Sequence, residues 1–355
     1  MSREVALANI RLEPAARWAH TEYSLGYHEE YFRARTGLDP SAPGFGRSVE
    51  RLWQIDFGWS TDDGLRGDWA RFGRATDMGH AVYAVDGSDM RPPGRSPFAS
   101  VEDVWAFDAV EEYGLPERDE QVAAYERSYQ EQRRLYPERL TTGGYYKTIV
   151  SGAIASFGWE LFLEAAADAA RMERVFDSFF RRTLFHMEAW ARTSVEAVIQ
   201  HDDFVWTSGA FMNPSIYRAV IIPRYAELWK PLRAAGKKLL FCSDGNWTEF
   251  AGDIVEAGAD GLIFEPMMDF GFMASSFGRS SCLVGSYVDC RDLTFGNLEK
   301  ARRDVDRTLE ELEDCRGGIL AVGNHLPGNI PEHAMDEYIE YVKPRLRSRR
   351  EGVPT

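Results

Sequence analysis

The chain is predicted to fold as an α/β protein, a (β/α)₈ TIM barrel with an N-terminal helical extension. Three observations lead there. Five hydrophobic runs in the second half each end in an ionisable or metal-binding side chain: His201-Asp202-Asp203, Cys242-Ser243-Asp244-Gly245-Asn246, Glu265-Pro266, Val288-Asp289 and Asn324-His325. Buried parallel strands read as continuous apolar runs, and barrel active sites collect at the C-terminal ends of such strands. Strand-like and helix-like segments then alternate from about residue 196 to residue 346, as βαβ units require. A doubly wound open sheet is the alternative, but no early glycine fingerprint follows the first strand.

Along the chain, residues 1–75 are mixed and hold the extension and a first strand, Arg17-Trp18-Ala19-His20-Thr21-Glu22-Tyr23. Residues 29–35 look helical and close at Gly37. The Pro/Gly-rich stretch 87–100 is an irregular loop. Residues 113–136 form a charged outer helix interrupted near Pro116. Lys147-Thr148-Ile149-Val150-Ser151 reads as a strand, and 159–194 as two amphipathic helices. Strands are expected near 196–202, 238–242, 261–264, 281–286 and 318–323. Helices are expected near 214–235, 247–257, 268–278, 296–314 and 332–346. The tail 345–355 frays. The whole of 1–355 is read as one barrel domain, which its 355 residues accommodate.

Bulk composition narrows the function. Apolar residues are 44% and charged residues 27%, the balance of an ordinary protein with a large core. The excess of 56 acidic over 41 basic residues, a net charge of −15, argues against a nucleic-acid partner. No stretch approaches the roughly 20 apolar residues of a membrane span, and residues 1–11 lack a signal-peptide core. The cysteines at 242, 282, 290 and 315 form no CxxC pair. Reduced thiols in a cytoplasmic enzyme are expected, with Cys282 and Cys290 structural.

The chemistry is expected at the strand ends. Cys242 and Asp244, two apart in extended chain, share a face and can bind Zn²⁺ together; a buried cysteine beside a capping turn accounts for them equally well. Gly245 allows a sharp turn, and Asn246 can cap the following helix. His325, on the last strand of a closed barrel, completes a metal set of Cys242, Asp244 and His325. Asn324 is a neighbouring donor. His201 and Asp203 share a face and, with Glu265, are the expected acid–base groups; the alternatives are an acidic loop and a rim ion pair. Asp202 is assigned to substrate. Asp289 and Arg291 suit a polar or anionic substrate group or a salt-bridged cap. Glu22, Tyr23 and Tyr145 are expected at the mouth, where aromatics such as Tyr145 and Tyr146 shape a pocket. No P-loop, GxSxG elbow or HExxH occurs.

Taken as a set, these motifs resemble the uroporphyrinogen decarboxylase superfamily, and its methyltransferase-like, corrinoid-linked branch in particular. The matching stretches are His201-Asp202-Asp203, Met212-Asn213-Pro214-Ser215-Ile216-Tyr217 leading to Ile222-Pro223-Arg224-Tyr225, Cys242-Ser243-Asp244-Gly245-Asn246, Glu265-Pro266, 285–289, and Gly317-Gly318 to Asn324-His325. Leu12-Glu13-Pro14 to Glu22-Tyr23 is similar to the family's opening. The resemblance implies a barrel that either decarboxylates a tetrapyrrole without cofactor or uses zinc to move a methyl group to or from a corrinoid carried by a partner protein. In the zinc branch the metal is held by a His-x-Cys motif and a later Cys. Here Cys242 and Asp244 occupy the first two positions, and Asn324-His325 stands near the third. No Arg-Gln-Ala-Gly-Arg type segment is present to hold tetrapyrrole carboxylates. The expectation is therefore a zinc-dependent methyltransferase acting between a small methylated substrate or thiol and a corrinoid. The alternatives are a metal-assisted lyase or decarboxylase on a small oxygenated substrate, and a non-catalytic tetrapyrrole- or corrinoid-binding barrel. A homodimer is compatible with either enzyme.

Overall fold

The computed structural model describes residues 1–60, 84, 96, 98–323 and 325–346. Nine short strands lie among them: β1 Ala19–His20, β2 Phe57–Gly58, β3 Leu140–Thr141, β4 Gly143–Tyr146, β5 Ala197–His201, β6 Lys238–Cys242, β7 Gly261–Ile263, β8 Cys282–Gly285 and β9 Gly318–Leu320. All pairings between these strands are parallel. Seven strands form one sheet in the order β1-β9-β8-β7-β6-β5-β4, and β2 pairs β3.

Hydrogen bonds join the two sheets into a closed barrel. The Asp56 N–H donates to the His20 carbonyl at 2.8 Å, and the Leu140 N–H to the Asp56 carbonyl at 2.8 Å. Thr142 alone separates β3 from β4, and its hydroxyl donates to the Gly58 carbonyl at 3.1 Å. β3 and β4 therefore act as one broken stave, giving the eight staves of a (β/α)₈ barrel.

The two faces of the staves carry separate apolar clusters. Ala19, Phe57, Leu140, Ala197, Ile199, Leu240, Cys242, Ile263, Cys282, Val284 and Ile319 pack inside the barrel. Intervening residues such as Val198, Leu239, Phe241, Leu262 and Leu283 join the layer beneath the helices. This is the period-2 alternation of strand side chains closed into a ring. The helix Arg3–Ile10 adds Ala6, Leu7 and Ile10 to the interior cluster. Its Asn9 side chain accepts from the Gly318 N–H at 3.1 Å, where β9 begins. This helix therefore stops the N-terminal end of the barrel and leaves the C-terminal end for chemistry. The sequence predicts a helical extension without locating this helix, whose short amphipathic pattern is weak.

The predicted strand at 147–151 is corrected. Strand β4 ends at Tyr146, Lys147 turns the chain with a φ of 57°, and the helix Val150–Phe157 begins almost at once. A short apolar run has no periodicity that separates a strand from a wholly buried helix. The helices Trp159–Ala166 and Ala169–Ala191 match the predicted pair. The later helices also fall where expected, although 214–235 carries a π-helical turn at Tyr217–Ile221. Of the predicted loop at 87–100, only 96 and 98–100 are described; the predicted tail beyond 346 also lies outside the described residues.

Candidate active site

The alternation that builds the barrel also selects the site. Continuing each inward row past its strand end gives Tyr23, Trp59, Tyr146, His201 with Asp203, Cys242 with Asp244, and Glu265. Pairing places Tyr146, His201, Cys242 and Ile263 at one level around the wall.

Asp203 is the hub. Its Oδ1 lies 2.9 Å from His201 Nε2 and accepts the Asp244 N–H at 2.9 Å. Its Oδ2 accepts the Tyr146 hydroxyl at 2.9 Å. Burial raises the pKa of this carboxyl, but the His201 charge and these hydrogen bonds outweigh it and hold Asp203 below the usual carboxylate range. Tyr146 also stacks on the His201 ring, with centroids 4.0 Å apart. Burial, followed by the Asp203 and Asp244 charges, pushes its phenol well up. His201 is 6% exposed. With Nε2 engaged by Asp203, its Nδ1 is buried without a partner among the described residues. An imidazole held on one nitrogen by a carboxylate presents the other as a ligand or base.

The ligand atoms of His201, Asp203 and Asp244 lie within 4.8 Å of one another, the group among the described residues that could hold a metal ion. The predicted set of Cys242, Asp244 and His325 thus contributes Asp244 to this group, while Cys242 and His325 stand outside it. Cys242 faces the same interior. Burial, then the charges of Asp244, Asp203 and Glu265, push its thiol well up, so it stays protonated beside three carboxylates. His325 is buried beyond β9.

Glu265 accepts the Gly245 N–H at 2.6 Å. Gly245 has a φ of 83°, and a Cβ there would sit 2.7 Å from the Trp206 carbonyl oxygen, so glycine is required where the chain turns after Asp244. A narrow cleft opens at this end, lined by Trp59, Cys242, Asp244, Phe264, Glu265 and Val322 among others. Trp59 lies 6.4 Å from the His201 ring and 5.0 Å from Tyr23. Burial raises the Tyr23 pKa, and the charges of Cys242 and Asp244 raise it further, which places Tyr23 in the field of the same cluster.

Several residues assigned to substrate from sequence lie elsewhere. Asp202 faces outward and accepts from the N–H groups of Ile149, Val150 and Ser151 and the hydroxyls of Ser151 and Tyr225, at 2.6–3.1 Å. These five donors fill its lone pairs and fix the start of the helix Val150–Phe157. Glu22 also faces outward, accepting from Val322 N–H and Tyr338 hydroxyl and pairing with His20. The Tyr145 hydroxyl accepts from Arg182 at 2.7 Å, and its ring stacks on His186, behind the barrel wall. Asn246 accepts from the Thr248 N–H and hydroxyl, opening the next helical turn. Asp289 caps the helix Cys290–Thr294 and pairs with Arg291. Asn324 lies outside the described residues. Trp59 is the residue the sequence reading passed over, while Tyr146 was named only alongside Tyr145 as a pocket-shaping aromatic. The signal for Tyr146 is parity, since it shares a rung with His201 whereas Tyr145 shares one with Gln200.

Comparison with known proteins agrees with this architecture. A family model described as uroporphyrinogen decarboxylase matches residues 160–344. No curated protein matches the chain at a significant level. Among solved structures, a methyltransferase from Methanosarcina mazei is similar in fold, with a TM-score of 0.65 at 14% identity, covering 96% of this chain and 97% of that one. A xylose isomerase-like TIM barrel protein from Mycobacterium smegmatis, in complex with magnesium, aligns with a TM-score of 0.35 at 11% identity over 75% of this chain and 94% of its own.

Proposed function

The chain belongs to the uroporphyrinogen decarboxylase family, and from that premise we propose that it is a methyltransferase-like enzyme whose site holds a divalent metal ion on His201, Asp203 and Asp244. The observation that carries the reading is the grouping of these ligand atoms within 4.8 Å beside a buried His201 Nδ1 that has no partner among the described residues. The donor set of one imidazole and two carboxylates suits zinc and also harder divalent ions. When bound, such an ion supplies Lewis-acid polarisation of a heteroatom or lowers the pKa of a thiol or water. The transfer proposed is of a methyl group between a small methylated substrate or thiol and a corrinoid carried by a partner protein.

The chain's own groups have distinct tasks. Tyr146 and the Asp244 N–H fix Asp203. Asp203 in turn holds the His201 ring and its tautomer. Glu265, lining the cleft beside Asp244, is placed to exchange a proton with a bound substrate. Trp59 and Phe264 narrow the cleft and exclude water. Cys242, kept protonated, contributes wall and no free thiolate.

The test is a methyl-transfer assay with the metal-loaded protein, a methylated corrinoid and a small thiol. Loss of the methyl group from the corrinoid, abolished in His201→Ala, is the expected result. No transfer in either direction would reject the reading. A second reading is favoured by the oxygen-rich donor set: metal-assisted lysis or decarboxylation of a small oxygenated substrate. Turnover of a single such substrate without any corrinoid would select it.

A further inference from the structure

The chain carries a net charge of −15, yet one recess away from the active site is lined by cations. It lies where the helix Arg118–Leu135 ends and the chain enters β3, at the N-terminal end of the barrel. Its volume is about 280 Å³, close to the lower end for small-molecule sites, and Gln130, Arg133, Arg134, Tyr136, Pro137 and Arg139 line it. No carboxylate is among these residues. Arg133 enters no ion pair among the described residues, and its guanidinium sits 5.8 Å from the Tyr129 ring centroid. Arg134 meets Glu131, one turn earlier on the same helix, at 2.6 Å, and both side chains are exposed. Such a surface pair contributes little and gives way readily. Arg139 differs from both. Its side chain is 12% exposed, lies 4.2 Å from the Tyr136 ring centroid, pairs with Glu50 and donates to Gln132 at 3.0 Å. Its Nε is buried without a partner among the described residues. Burial lowers its pKa against the opposing charge of Glu50. The nearby Glu138 already serves two guanidiniums, those of Arg47 and Arg51.

The last turn of a helix favours basic side chains, which accounts for Arg133 and Arg134 on their own. It does not account for Arg139, which follows the helix and is nearly buried, nor for the recess that the three enclose. We propose that this recess binds a small phosphorylated anion, with Arg139 as its floor and Arg133 and Arg134 as its walls. The charge balance selects a doubly charged ligand. Glu50 offsets one of the three guanidiniums, and once Arg134 leaves Glu131 for the ligand two positive charges remain. Planar guanidinium groups suit phosphate because each presents paired N–H donors to two oxygens. Tyr136, Glu50 and Gln132 already hold the plane of Arg139, so that side chain loses little freedom on binding. The inference is independent of the methyl-transfer reading, since none of these residues lines the cleft at the other end of the barrel.

The experiment is calorimetric titration of the purified full chain at low salt with inorganic phosphate, with glycerol 3-phosphate and, as a singly charged control, with acetate. Both phosphate probes should bind saturably and acetate should not. Tighter binding of the ester assigns the site to phosphorylated metabolites, and tighter binding of the inorganic ion assigns it to free phosphate. Arg133→Gln and Arg134→Gln, both at exposed positions, should each weaken phosphate binding about tenfold. Arg218→Gln removes the same charge from an exposed helix elsewhere and should leave the affinity unchanged, as should His201→Ala in the active site. Absence of saturable binding, equal affinity for acetate, or an equal loss in Arg218→Gln would overturn the proposal. Binding lost in His201→Ala and kept in Arg133→Gln and Arg134→Gln would place the phosphate in the active site and overturn it as well.

Discussion

Tyr146→Phe isolates the hub of the site. The substitution deletes one oxygen, which donates to Asp203 Oδ2 at 2.9 Å, and keeps the ring that stacks on His201 at 4.0 Å. No sizeable cavity results. A hydrogen bond to a charged group contributes about 1.5–3 kcal/mol, and the buried carboxylate left behind loses that donor. Loss of about 2 kcal/mol in urea unfolding is therefore expected at pH 7, with an unchanged m-value. The pH dependence gives a second readout. Asp203 has a folded pKa below the ordinary 3.8, so its stabilisation is present above that value and is lost as pH falls through the depressed folded pKa. Removing the Tyr146 donor raises the folded pKa, so the variant should begin losing this stabilisation at a higher pH than the wild type. A loss below about 0.5 kcal/mol with the acid limb unmoved would refute the assignment of Asp203 as a charged hub.

Other perturbations follow from the same geometry. Gly245→Ala meets both a left-handed φ of 83° and the Trp206 carbonyl oxygen at 2.7 Å, so it should cost at least about 2 kcal/mol by thermal melt and weaken metal binding through Asp244. Asp202→Asn should destabilise by about 3 kcal/mol or more without changing the ratio of kcat to KM per folded molecule, because Asp202 serves a helix start outside the barrel. Glu50, paired with Arg139, is pushed by burial up to about 7 from 4.5. Its folded form holds a proton the unfolded chain has released, so its contribution is present below pH 4.5 and is lost as pH rises through 7. The stability difference between wild type and Glu50→Gln should accordingly shift by roughly 3 kcal/mol at most across that window in chemical denaturation.

Strand ends were legible in the sequence because a buried parallel strand is a continuous apolar run that stops where chemistry starts. The runs ending at His201, Cys242 and Glu265 needed nothing more. That His201 shares a face with Asp203, and Cys242 with Asp244, was legible from i, i+2 spacing within each strand. Spacing within one strand does not say which parity faces inward, nor how neighbouring strands align, and most of the remaining differences trace to that. Asp202, Glu22 and Tyr145 sit one position out of phase with the inner row, and their partners come from helices distant in sequence, such as Tyr225, Tyr338 and Arg182. Strands β1 and β2 are only two residues long, too short to show alternation, so Trp59 gave no signal. The grouping proposed to hold a metal has the same origin: Asp244 meets His201 and Asp203 from the adjacent stave, a juxtaposition fixed by register.

Elemental analysis of the purified protein beside His201→Ala, Asp244→Asn, Cys242→Ser and His325→Ala variants tests the central claim most directly. The account predicts about one divalent ion per chain, lost in His201→Ala and Asp244→Asn and kept in Cys242→Ser and His325→Ala. An ion kept in His201→Ala and lost in Cys242→Ser and His325→Ala would contradict it, as would a native protein that takes up no metal when one is supplied.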